Sequence, residues 1–132
     1  MKDSLKPGLT VTRRVTATPE KCIQFMGEAL SVYATPAIVG DMEYTARDMI
    51  LDHLSDGQDS VGARVEIDHV APTLAGQWAD VTVTVSDVKG RRVSFDYTVR
   101  DAVEEVARGM HVRFVVDKDK TAERLAAKRA QV

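Results

Sequence analysis

The sequence predicts an α+β domain in which an antiparallel sheet of about five strands wraps around one long helix. Three observations predict it. One extended helical segment ends near Gly57, four segments after it alternate apolar and polar residues, and a β-branched segment stands ahead of the helix. Alternating strands leave one apolar sheet face, which the helix covers. At 132 residues, 44% hydrophobic and 29% charged, the chain suffices for one core and is too short for two.

The elements follow in order. Leu9–Ala17 carries Val-Thr-Arg-Arg-Val-Thr, which favours a strand by β-branching. Thr18-Pro19-Glu20 opens a helical turn, with Thr18 as N-cap and Pro19 at the first helical position. Thr35-Pro36 repeats that signal before a helix from Pro36 to about Leu54, closed by Ser55-Asp56-Gly57. Val61, Ala63, Val65, Ile67 and His69 then form one apolar face, and Ala71-Pro72-Thr73 with Gly76 breaks the chain. Ala79, Val81, Val83 and Val85 form the next inward set, Lys89-Gly90 turns, and Val93, Phe95, Tyr97 and Val99 follow. After a turn at Asp101-Ala102, the last inward set is Val106, Met110, Val112, Phe114 and Val116. Residues 118–132 hold five basic and two acidic groups. They read as a solvated helix or frayed tail outside a domain of residues 1–117.

Composition excludes several functions. Lys+Arg 18 against Asp+Glu 20, a formal charge of −2, argues against nucleic-acid binding, which needs a basic excess. No apolar run reaches the ~18–20 residues of a membrane span. The polar start, Met1 to Gly8, lacks the apolar core of a signal peptide, so a cytoplasmic protein is expected. The single cysteine, Cys22, precludes an internal disulfide or a multi-cysteine metal cage. The three histidines show no ligand spacing, so no metal is expected, and no P-loop, dinucleotide or G-x-S-x-G pattern occurs.

A few residues break their own pattern. On a wheel of 100° per residue from Val39, Met42, Ala46, Met49, Ile50 and Leu54 share one arc, whereas Asp41, Thr45, Asp48 and Asp52 lie opposite. Glu43 falls at ~40°, inside the apolar arc. Such a carboxylate reaches an edge, pairs with a buried partner, or is held for chemistry. His69 continues the apolar face of its strand. A lone inward histidine is more often a satisfied core residue, but here a misplaced carboxylate sits on the helix this face covers, and an imidazole exchanges protons near neutral pH. Thr35 suffices as an N-cap; a helix start also offers backbone N–H groups to an anionic oxygen. It lies ~12 Å from Glu43 along a continuous helix, so a shared site needs a later helix start or a second subunit. Gly62 is a strand glycine, marking a bulge or a close approach. Arg113 and His111 alternate opposite Val112 and Phe114, which favours solvent, and His53 suits the helix C-terminus.

The segment Val32-Tyr33-Ala34-Thr35-Pro36-Ala37-Ile38-Val39-Gly40-Asp41-Met42-Glu43-Tyr44 resembles the hot-dog-fold thioesterases of the fluoroacetyl-CoA thioesterase type. Ser60-Val61-Gly62-Ala63, Ile67-Asp68-His69-Val70-Ala71-Pro72-Thr73, Val88 to Phe95 and Gly109-Met110-His111-Val112-Arg113 continue it in order, over about residues 5–117. The resemblance implies the hot-dog fold and a homodimer with acyl-CoA sites at the subunit interface, a tetramer being a further pairing of such dimers, with coenzyme A as part of the substrate and no other cofactor. It puts the catalytic threonine, glutamate and histidine on Thr35, Glu43 and His69, and the acyl-end glycine and arginine on Gly62 and Arg113. It also implies phenylalanines closing over the small acyl group ahead of the threonine. Gln24–Val32 has a single aromatic, Phe25, so a short or medium acyl chain fits better than strict fluoroacetyl specificity.

Two functions follow from the resemblance: hydrolysis of an acyl-CoA thioester, or a non-catalytic acyl-CoA or small-ligand module on the same fold, since fold alone does not fix activity. A hydratase on a related scaffold is disfavoured by the lack of its aspartate–histidine motif.

Overall fold

The computed structural model describes residues 1–132. Strand β1 (Thr10–Thr16) is followed by single 3-10 turns at Pro19–Lys21 and Glu28–Leu30, then helix α1 (Thr35–Leu51). Strands β2 (Gln58–His69), β3 (Trp78–Lys89), β4 (Arg92–Asp101) and β5 (Glu105–Asp117) come next, and helix α2 (Lys118–Arg129) ends the chain. All pairings are antiparallel in one five-stranded sheet of order β1-β3-β4-β5-β2. The architecture is the expected α+β one. No helix is long and apolar enough to cross a membrane.

The core lies between the concave sheet face and α1. Ala79, Val81, Val83 and Val85 of β3 and Val93, Phe95, Tyr97 and Val99 of β4 are all buried, as their alternation predicts. They meet Ile38, Met42, Ala46 and Ile50 of α1. Thr45 departs from the wheel reading: it is fully buried, and its hydroxyl donates back to the Asp41 carbonyl at 2.7 Å. The buried arc is therefore rotated toward Thr45, which leaves Glu43 at the arc's edge rather than inside it. The helix also ends earlier than expected, at Leu51.

Three strands correct the alternation argument; in β3 a register shift at Ser86 puts Val88 opposite buried Val93 and so on the inward face. In β2 the register shifts between Gly62, opposite Arg113, and Arg64, opposite Val112. Ala63 is the extra residue of a bulge, and an extra residue reverses which parity faces inward. Ser60 and Gly62 thus face α1 on one side of the bulge, and Val65, Ile67 and His69 on the other, whereas Val61 is exposed. In β5 the expected inward set is also revised. His111 pairs with buried Phe95 and Arg113 with buried Val93, and directly opposed residues share a face. His111, Arg113 and Val115 therefore point at the helix, and Phe114 is exposed. The β5 irregularity falls at Val106, between the Val99–Ala107 and Arg100–Glu105 pairs.

Candidate active site

The first cluster forms where α1 begins. Ala34, not Thr35, is the N-cap, and Thr35 is the first helical residue. Its hydroxyl is free of capping and lies 2.7 Å from Nδ1 of His69, the last residue of β2. His69 Nε2 is buried and has no hydrogen-bond partner within the chain. Tyr33 anchors this helix start. It is fully buried, its backbone N–H donates to Thr73 O at 2.9 Å, and its phenol donates to Asp41, which also accepts from Lys21 Nζ at 3.0 Å. Burial and the Asp41 carboxylate push the Tyr33 phenol well above its usual range, so it stays a donor.

The second cluster lies two turns further along α1. Arg113 is 6% exposed, so the expectation that it faces solvent is overturned. Its Nε donates to Ser60 Oγ and its Nη2 to Ser60 O, both at 2.8 Å. Nη1 lies 3.3 Å from His111 Nε2 and 3.4 Å from Glu43 Oε2. His111 stacks on Phe95, and its Nδ1 lies 2.8 Å from the carbonyl of Arg64. A carbonyl can only accept, so Nδ1 carries the proton and Nε2 accepts from Arg113. Burial lowers the pKa of His111, which keeps that tautomer neutral.

Gly62 closes this cluster. A Cβ there would overlap Glu43 Oε2 and sit 3.4 Å from His111 Cε1, so the absence of a side chain is what admits the carboxylate. Gly109 has a similar steric cause, since a Cβ would run into the Glu66 carbonyl and the Tyr97 hydroxyl.

The five residues singled out by sequence thus fall into two groups: Thr35 with His69, and Glu43 with Gly62 and Arg113. The groups lie ~12 Å apart along the continuous α1. Ser60, His111, Tyr33 and Asp41 are the supporting residues that sequence reasoning did not assign. The signal for His111 was its sharing a strand face with Arg113. A cavity of about 750 Å³ opens beside the second cluster, between α1, β2 and α2.

The family model for fluoroacetyl-CoA-specific thioesterase matches residues 17–119. The chain belongs to that family. A fluoroacetyl-CoA thioesterase from Streptantibioticus cattleyicolor is 30% identical over 91% of each chain. A crystal structure of a mutant fluoroacetyl-CoA-specific thioesterase in complex with fluoroacetate and CoA is 29% identical, with a TM-score of 0.82 over 89% of this chain and 99% of that one. A hot-dog-like protein from Thermanaerovibrio acidaminovorans is 28% identical, with a TM-score of 0.86 over 92% of this chain and 91% of that one. The sheet wrapped around α1 is therefore a hot-dog fold. The matched span of the family ends at the first turn of α2.

Proposed function

We propose that this chain hydrolyses short or medium acyl-CoA thioesters in a homodimer whose sites draw residues from both copies. Family membership makes it a thioester hydrolase acting on acyl-CoA; the acyl range, residue roles and assembly are our reading. The observation that carries it is the 2.7 Å Thr35–His69 contact, with a buried Nε2 left unpartnered on the far side of the same ring.

His69 accepts the hydroxyl proton of Thr35, or of a water that Thr35 holds, as that oxygen attacks the thioester carbonyl. The Gly62 backbone N–H supports the developing oxyanion. Collapse breaks the C–S bond, and the imidazolium returns its proton to the departing CoA sulfur. If the threonine is acylated, water repeats the sequence and frees the acid. Glu43 orients the imidazole and stabilises its charged form, the role of the third member of nucleophile–base–orienter groups. Arg113, pinned by Ser60 and His111, positions Glu43 and faces the acyl end.

In one chain Glu43 cannot reach His69, because the helix separates the two clusters. Strand β2 lies at a sheet edge, and an unpaired edge invites a second strand. A two-fold axis near residues 65–66 would set Gly62 opposite His69 of the partner subunit, bringing Glu43 of one copy to the Thr35–His69 pair of the other. A reducing cytoplasm suits the single buried thiol, Cys22.

The acyl range rests on Gln24–Val32. The one aromatic there, Phe25, is 82% exposed, so it closes over no small acyl group within the chain. Release of free CoA from a panel of acyl-CoAs tests the reading. Turnover of acetyl- to octanoyl-CoA that His69→Ala abolishes is expected; His69→Ala at the wild-type rate on every ester overturns the mechanism.

A further inference from the structure

We infer that α2 forms one wall of the acyl-binding pocket, so that the chain favours an apolar acyl group of more than about four carbons. This rests on the thioesterase reading and goes beyond it by naming the pocket and what sets its length.

The cavity of about 750 Å³ is within the size range of small-molecule sites. Its floor is Glu43, Ser60 and Arg113, the same residues that form the second cluster, so it continues directly from the place assigned to the acyl end. Thr121 and Leu125, at i and i+4 on one face of α2, line it from the other side together with the adjacent Ala122. Tyr44, Val61 and Leu125 line it too and are 68%, 48% and 51% exposed, so their apolar surface is left uncovered by the chain itself.

The charges around the cavity select the occupant. Arg47 pairs with Asp59 at 2.6 Å and Arg113 with Glu43 at 3.4 Å, which leaves Lys118 as the one lining cation outside an ion pair. A phosphate of the nucleotide end of CoA needs a cluster of free donors and charge. An alkyl chain needs only apolar walls.

The test uses S-alkyl-CoA thioethers, which cannot be hydrolysed, with affinities measured by calorimetry. Each buried methylene strengthens binding by about fourfold. S-octyl-CoA should therefore bind the wild-type protein at least about tenfold more tightly than S-ethyl-CoA. Ala122→Trp fills the cavity from an exposed helix position and should bring that ratio near one. Arg124→Trp, equal in bulk on the same helix but outside the cavity lining, should keep it. Equal affinities in the wild type, or a preference untouched by Ala122→Trp, would overturn the inference. An octyl preference that Ala122→Trp removes, in a protein that releases no thiol from octanoyl-CoA, would uphold the pocket and refute the hydrolase reading instead.

Discussion

Arg113 is a charged group on the buried face of a sheet, and its partners explain how it remains there. A buried guanidinium without them would be severely unfavourable. Ser60 takes two of its donors, His111 Nε2 a third, and Glu43 supplies the countercharge. Glu43→Gln keeps the shape and removes the charge, so we expect a folded protein whose kcat falls by orders of magnitude; an unchanged kcat in steady-state assays would return Glu43 to a structural role. Gly62→Ala pushes a methyl group into the Glu43 carboxylate. A displacement near ~1 Å at a reacting group costs about 10²-fold, so a loss of that size in kcat is expected. His111 yields a pH prediction. Its pKa is lowered in the folded chain by burial, so the unfolded chain binds the proton more readily, and stability rises with pH through that window. The melting temperature should fall as pH drops below the unfolded histidine value of ~6.5, before the ion-paired carboxylates are protonated. His111→Asn, which keeps a donor for the Arg64 carbonyl, should flatten the slope between pH 7 and 5. An undiminished slope would exclude His111 as its source.

At the scale of elements, the start of α1 is held by side chains rather than by a cap. Tyr33, Asp41 and Lys21 tie the incoming segment to the second turn of the helix, and this fixes where Thr35 meets His69. Tyr33→Phe removes a hydrogen bond to a charged acceptor, a loss of about 1.5–3 kcal/mol. Denaturant unfolding should show that loss, and activity should fall with it; a stable, fully active variant would mean that the anchor is dispensable. The same scale shows what the sequence could reveal. In β4, and in β3 as far as Val85, the inward residues are legible because alternation alone decides the face; past the register shift at Ser86 parity reverses, and Val88, opposite buried Val93, packs on the core although strict alternation turns it outward. In β2 and β5 alternation holds only in part: Val65, Ile67 and His69 face α1 and Val106 is buried as the pattern predicts, whereas Val61 and Phe114 are exposed. Val61 and Ala63 continue the apolar series of β2, yet the extra residue at Ala63 reverses parity, and a bulge leaves no mark in a hydrophobic pattern beyond a nearby glycine such as Gly62. In β5 the apolar residues Met110 and Phe114 alternate with His111 and Arg113, and it is the polar pair that faces the helix. Glu43 and His69 were legible for the opposite reason: each broke a pattern that its neighbours obeyed.

At the scale of the whole molecule, the two separate clusters are the central feature. Thr35 and His69 lie at one end of α1 and the free edge of β2, while Glu43, Gly62 and Arg113 lie two turns away. No motion that leaves α1 intact brings them together in one chain. In the proposed homodimer a second copy paired along β2 would bring them together and cover the exposed edge. Stability should accordingly depend on protein concentration, with dilution lowering the melting temperature. The most direct test of the shared site is complementation. Thr35→Ala and Glu43→Gln, each inactive alone, are co-expressed with different tags, and CoA release is measured on the mixture. If each site takes Thr35 from one copy and Glu43 from the other, half of the dimers are mixed and each has one intact site, so activity should return to about a quarter of wild type. A mixture no more active than the two separate variants, with mixed dimers present by tag pull-down, would contradict a site built from two chains.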